Sequence, residues 1–178
     1  MNKRKFKDLK RIARDIYFNK LCATVLLPNG IRSLFYRLGG ISIEKKVTIC
    51  PHCFLGSKHL KIGEGSFLNY NVWLNTAGGI KIGKQCNIAC NVMFITSTHS
   101  IGNEDRRAGI GQTYGIEVGD GTWIGAGTVI LPGIKIGNGC IIGAGSVVTK
   151  DCKENCVYAG NPAKVIRQLP ESVSSTTN

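Results

Sequence analysis

Three histidines, His52, His59 and His99, are the side chains best placed to take a proton from a hydroxyl near neutral pH. The unperturbed imidazole pKa, about 6.5, suits that task. His52 and His59 lie in segments without a recognisable motif, which favours packing or surface roles. His99 ends a regular stretch and opens the one long Gly- and charge-rich segment, residues 100–115. Position alone reads it as an exposed histidine at a loop edge. Thiol chemistry is the other candidate, because Cys50-Pro51-His52-Cys53 has redox-pair spacing and, with His52, could be read as a metal site. A redox pair should open a helix after a strand, and nothing helical follows Cys53. Cys53, Cys86, Cys140 and Cys152 share one small-residue slot of a repeat, where cysteine serves as compact apolar filler. No metal is expected.

That repeat is what must position any chemistry. Aliphatic residues recur every six positions at Ile62, Leu68 and Leu74, at Ile82, Ile88 and Phe94, and from Val118 through Ile124, Ile130, Ile136 and Ile142 to Val148. Glycine often follows the aliphatic, and a small residue stands four places after it. An amphipathic helix recurs at three and four and a two-sided strand at two, so a sustained six fits neither. It fits short parallel strands joined by tight turns and wound into a narrow prism. Weaker repeats begin at Ile43, Ile49 and Leu55. Gly78-Gly79 interrupt the coil as a bulge, and 100–115 interrupts it as a protruding loop. Before the repeats, Phe6–Leu27 reads as a helix ended by Pro28-Asn29-Gly30, and Ile31–Leu38 as a second.

The segments Ile124-Gly125-Ala126-Gly127-Thr128-Val129 and Ile142-Gly143-Ala144-Gly145-Ser146-Val147 resemble the hexapeptide-repeat acyltransferases. The likeness is strongest over about residues 62–167. It implies an all-β fold, a left-handed parallel β-helix of hexapeptide repeats with an N-terminal helical arm, and a homotrimer. The expected organisation is a basic helical arm at 1–40, a β-helix domain at 41–167 and a disordered tail at 168–178. The resemblance also implies acetyl-CoA-dependent transfer to a sugar or polysaccharide-precursor hydroxyl. Ile95-Thr96-Ser97-Thr98-His99-Ser100 is similar to the stretch that carries the family's catalytic histidine, which makes His99 the expected general base. Asn69, 30 residues earlier, is similar to the asparagine that galactoside and maltose acetyltransferases place there, and is the expected partner for the oxyanion. Asn69 and Asn71 could equally serve only to satisfy coil corners, which asparagine does readily.

For acetyl-CoA, Ala126 and Ala144 stand 18 apart, one coil in this family, so they stack beside Gly125 and leave a groove for pantetheine. Thr149, Lys150, Lys164 and Arg167 fall in segments similar to the family's CoA-binding ones, with the three cations expected to meet phosphate. Trp123 is expected to wall the groove or to cover a subunit contact. The family's acidic residues near the acceptor have no counterpart in Asn75-Thr76-Ala77. Serine and antibiotic acetyltransferases share the coil and stand as alternatives. A γ-type carbonic anhydrase would need a three-histidine zinc site whose spacing is missing here, and a non-catalytic β-helix would tolerate loss of His99.

Composition sets the remaining bounds. With 43% hydrophobic and 19% charged residues, 178 residues suit one folded domain. The net charge of +12 is concentrated: residues 1–40 hold 10 Lys and Arg against 2 Asp and Glu, leaving 13 against 9 for the rest. Such an arm can meet an anionic membrane or cap the coil, and no nucleic-acid partner is expected. Leu21–Ile31 is about half the ~20 apolar residues of a spanning helix, and no secretory signal is legible. The expected location is the cytoplasm, with peripheral contact at the inner leaflet.

Overall fold

The structure, a computed structural model, describes residues 3–170. From Ser42 onward the chain winds a parallel β-helix with three faces. The first face stacks Ser42–Ile43, Leu60–Ile62, Ile80–Ile82, Ile116–Val118 and Lys135–Ile136. The second stacks Thr48–Ile49, Phe67–Leu68, Asn87–Ile88, Trp123–Ile124, Ile141–Ile142 and Cys156–Ala159, and the antiparallel strand Lys164–Gln168 closes it. The third stacks Phe54–Leu55, Trp73–Asn75, Met93–Ile95, Val129–Ile130 and Val147–Val148. Each strand points its aliphatic residue inward, so Ile62, Leu68, Ile88, Phe94, Ile124, Ile130 and Ile142 are all but sealed from solvent. The expected tail lies outside the described residues from 171 on; before it, Leu169 N–H donates to Asn155 O at 2.7 Å.

Register follows corner length. Val118 pairs with Ile136, 18 residues on, in a regular coil, whereas Ile62 pairs with Ile82, 20 on, because Gly78 and Gly79 lengthen the corner between the third and first faces. The corner between the second and third faces turns through one left-handed residue per coil: His52, Asn71, Asn91, Gly127 and Gly145, with φ between 59° and 69°. Asparagine and glycine tolerate that conformation best, so Asn71 is there for the turn. Inside the prism the small slot is filled by thiols and hydroxyls. Burial pushes the Cys53 and Cys152 thiols up to about 12, keeping them protonated and inert at neutral pH.

The N-terminal segment divides into two parts. Helix α1 (Lys3–Ile16) runs into one wide π-helical turn, Tyr17–Cys22, and helix α2 (Asn29–Leu38) follows. The π-turn and α2 close the open end of the coil. Phe18 and Tyr36 are buried with rings stacked 5.9 Å apart, and the Asn19 amide pairs with Leu55 as a strand would, donating to its O at 3.1 Å and accepting from its N–H at 2.8 Å. The fully buried Arg32 donates to Cys22 O, Thr24 O, Ile49 O and Leu27 O and to Asn29 Oδ1. This corrects the helix expected over Phe6–Leu27. It stops at Cys22, whose carbonyl accepts from the Arg32 guanidinium.

Candidate active site

His99 does not stand at the edge of an irregular loop. It lies inside an antiparallel hairpin, Ser97–Ile101 against Ala108–Thr113, that leaves the corner between the third and first faces. The protruding loop expected at 100–115 is therefore corrected to a hairpin that begins at Ser97. Both of its sides face solvent, so no apolar alternation marked its strands in the sequence. Ile110 N–H donates to Ser100 Oγ at 3.0 Å and Gly102 N–H to Arg107 O at 2.9 Å, which ties the two strands beyond His99.

Its root is pinned by a buried hydroxyl. Thr96, with no exposed surface, donates from Oγ1 to Asn75 O at 2.6 Å and accepts from Gly78 N–H at 3.0 Å, while Ser97 Oγ donates to Asn75 Oδ1 at 3.1 Å. Asn75, Thr96 and Ser97 thus position the strand that carries His99, a role that sequence reasoning missed. His99 is exposed and stands opposite Gly111 in the backbone register of the hairpin. A Cβ at Gly111 would sit 3.9 Å from Cδ2 and Nε2, so the glycine leaves that side of the ring open. No hydrogen bond among the described residues holds the ring.

Asn69 sits at the corner between the second and third faces. Its backbone N–H donates to Ile88 O at 2.9 Å, and its Oδ1 accepts from Tyr70 N–H at 2.8 Å. The local bond orients the amide and leaves Nδ2 as a donor. Asn69 and His99 therefore lie beyond opposite edges of the third face, and one chain does not bring them together. Ala126 and Ala144 stack on Asn69's edge, with Gly145 N–H donating to Ala126 O at 2.8 Å. Gly125 is glycine for the coil itself, since a Cβ there would meet Ala144 N at 2.5 Å. Trp123 stands outward on the second face between Asn87 and Ile141, 54% exposed.

Of the cations, Lys164 lies toward Asn69's edge, Arg167 lies on the second face itself, and Lys150 lies on His99's edge. Lys164 and Arg167 lie exposed on the terminal strand of the second face, opposite Ala159 and Val157. Thr149 and Lys150 lie exposed beyond Val148, on His99's edge. His52 and His59 are exposed on two different corners of the first coil, and among the described residues no cluster of three or more His, Cys, Asp or Glu is placed to hold a metal.

One further feature crosses the third face between the two edges. Its outward residues pair in register as Phe54, Trp73, Met93, Val129 and Val147, an unbroken apolar ladder. The Phe54 and Trp73 rings stack 3.8 Å apart. On the first face the outward residues are Ser42, Lys61, Lys81, Glu117 and Lys135, the polar lining that solvent favours.

Comparison with known proteins agrees with this architecture. Residues 115–150 match the family described as bacterial transferase hexapeptide (six repeats). The structure of a maltose O-acetyltransferase from Clostridium difficile 630 superposes with a TM-score of 0.75 at 33% identity, covering 92% of this chain and 88% of that one. A galactoside acetyltransferase in complex with coenzyme A superposes with a TM-score of 0.81 at 29% identity, over 92% of this chain and 82% of that one. The galactoside O-acetyltransferase of Escherichia coli K12 is 37% identical over 119 residues, 67% of this chain and 59% of its own length. The chain belongs to the hexapeptide-repeat transferases, among relatives that include sugar O-acetyltransferases. It spans between 56% and 64% of the length of the curated relatives it matches.

Proposed function

We propose that this protein is an acetyl-CoA-dependent O-acetyltransferase acting on a saccharide hydroxyl, with His99 as general base, at a site shared between copies of a homotrimer. The observation that carries the proposal is the division of the candidate groups between the two edges of one apolar face. Burying the ladder from Phe54 to Val147 favours association. Three copies that turn this face toward a common axis bring the His99 edge of each against the Asn69 edge of the next. His99, Thr149 and Lys150 of one copy then face Asn69, Ala126, Ala144, Lys164 and Arg167 of its neighbour. The kinship with the maltose and galactoside acetyltransferases supports the acceptor class.

In this reading the neutral His99 imidazole accepts the acceptor's hydroxyl proton as its oxygen attacks the thioester carbonyl. Asn69 Nδ2 donates to the oxygen that becomes negative. When the carbon–sulfur bond breaks, the imidazolium returns its proton to the departing thiolate, and the histidine ends neutral. Ala126 and Ala144 leave a groove along which the pantetheine arm lies, walled by Trp123. Lys150, Lys164 and Arg167 meet the phosphates, the lysines as point charges and the arginine as a fork. We assign the reaction to the cytoplasm, to precursors of polysaccharide synthesis, and to peripheral contact with the inner leaflet.

The test is thiol release from acetyl-CoA by the purified chain over a panel of glycosides and sugar nucleotides. Charge-assisted contacts contribute about 1.5–3 kcal/mol each. Lys150→Ala with Lys164→Ala should therefore raise the KM for acetyl-CoA by about 10-fold or more and leave the kcat at saturation little changed. An unchanged KM would remove both lysines from the phosphate site, and no thiol release with any acceptor would refute the function.

A further inference from the structure

Helix α1 is amphipathic in the reverse of the usual sense. A surface helix normally turns its apolar stripe to the protein and its charges to water. In α1 the apolar row Phe6, Leu9, Ile12 and Ile16 is between 45% and 60% exposed. The charged flank, Lys7, Lys10, Arg11 and Arg14, lines a cavity of about 790 Å3 with Lys58 and His59 from the adjacent coil. Tyr17, Phe18, Leu38, Gly39 and Ser57 complete the lining, so in this structure α1 turns its cations toward the coil and its apolar row away from it. The row is not needed to close the coil, because Phe18, Arg32 and Tyr36 already seal that end.

An exposed row of this kind calls for an apolar partner, and the charge around it selects which one. Residues 1–40 carry a net charge of +8, so packing this arm against the same arm of a second copy sets like charges together. Among the described residues, the arm's ion pairs are Arg11–Asp8 and Arg14–Asp15 alone, which leaves Lys7 and Lys10 without a carboxylate within 4.0 Å. We propose that α1 is an interfacial anchor that lies in the plane of an anionic lipid bilayer, with Phe6, Leu9, Ile12 and Ile16 in the headgroup and acyl boundary and the lysines at the level of lipid phosphates. Long lysine stems reach sideways from such a helix toward the polar layer. No described helix is long and apolar enough to cross a membrane, which suits an element that lies on the surface.

The inference deepens the peripheral contact assigned above, and its test needs no substrate, so it stands or falls apart from the acetyl-transfer reading. The full chain is sedimented with vesicles of phosphatidylcholine alone and of phosphatidylcholine with about 30 mol% phosphatidylglycerol, the usual contrast for electrostatically assisted binding. The protein should partition onto the anionic vesicles, hardly onto the neutral ones, and come off as salt is raised. Leu9→Gln with Ile12→Gln keeps good helix formers at both positions and should lower the partition by about 10-fold or more, with oligomer mass and turnover of soluble acceptors unchanged. Wild-type protein that ignores anionic vesicles would overturn the proposal, as would a double variant that binds like wild type. A double variant of lower oligomer mass would assign the row to a second copy and overturn it equally.

Discussion

His99→Ala should lower the kcat for acetyl transfer by about 10²-fold or more, the scale on which a positioned general base contributes, and leave the KM for acetyl-CoA near its wild-type value. The separation is expected because, among the described residues, no hydrogen bond or ion pair joins the groups assigned to the pantetheine arm and phosphates to the imidazole or its strand. The proposed trimer should be unaffected, since His99 is exposed on the hairpin and makes no hydrogen bond through its ring among the described residues. Asn69→Ala should also be slow, by loss of the oxyanion donor. The arrangement across copies adds a sharper expectation: dissociating and mixing the two inactive variants should restore part of the activity, because some interfaces then pair an intact His99 edge with an intact Asn69 edge. Mixed trimers as inactive as their parents would place the two residues in one chain's site or in none. Equal turnover by His99→Ala and wild type would remove His99 from the mechanism.

Arg32→Met should be the most damaging single change to stability. The guanidinium is fully buried and serves four backbone carbonyls, including Ile49 O at 2.8 Å and Thr24 O at 2.9 Å. Methionine fills much of the volume and satisfies none of these acceptors. Each carbonyl left buried and unpaired costs about 1–3 kcal/mol, so a loss of roughly 4 kcal/mol or more is expected, or about 10 °C in Tm for a chain of this size. Thermal unfolding followed by circular dichroism reads this directly. A fall of one or two degrees would show that water donates to the freed carbonyls in the arginine's place at little cost, and that the cap is softer than its hydrogen bonds suggest.

The coil was legible because its signal is chemical and periodic. Ile124, Ile130, Ile136 and Ile142 point inward at every sixth position, a spacing that fits neither helix nor two-sided strand and points to short strands wound into a prism; its three faces came from the family resemblance. The cap was legible in outline, as two helices, but not in detail. Whether Arg32 faces water or the carbonyls of Cys22 and Leu27 is decided by tertiary contacts that no local propensity encodes. The apolar ladder from Phe54 to Val147 was present in the sequence yet scattered. Its members share a face only once the corner insertions near Ser57, at Gly78-Gly79 and at the hairpin are counted; the first two shift the register, and the hairpin separates Met93 from Val129 by twice the 18-residue coil. The hairpin failed as a strand prediction for a related reason, since Thr98, His99 and Ser100 carry no apolar alternation and owe their order to Thr96 and Asn75 at the root. For α1 the sequence showed a basic helical arm. Which side it would turn to the coil followed only from the position of Lys58 and His59.

The measurement that bears most directly on the central claim is identification of the product. The full chain is incubated with acetyl-CoA carrying a 13C-labelled acetyl group and with the best acceptor from the panel, and the saccharide is examined by NMR and mass spectrometry. The account predicts one acetyl ester on a saccharide hydroxyl, formed with the release of one free thiol per ester and lost in His99→Ala. Acetyl on an amine, or thiol release with no labelled saccharide, would contradict it.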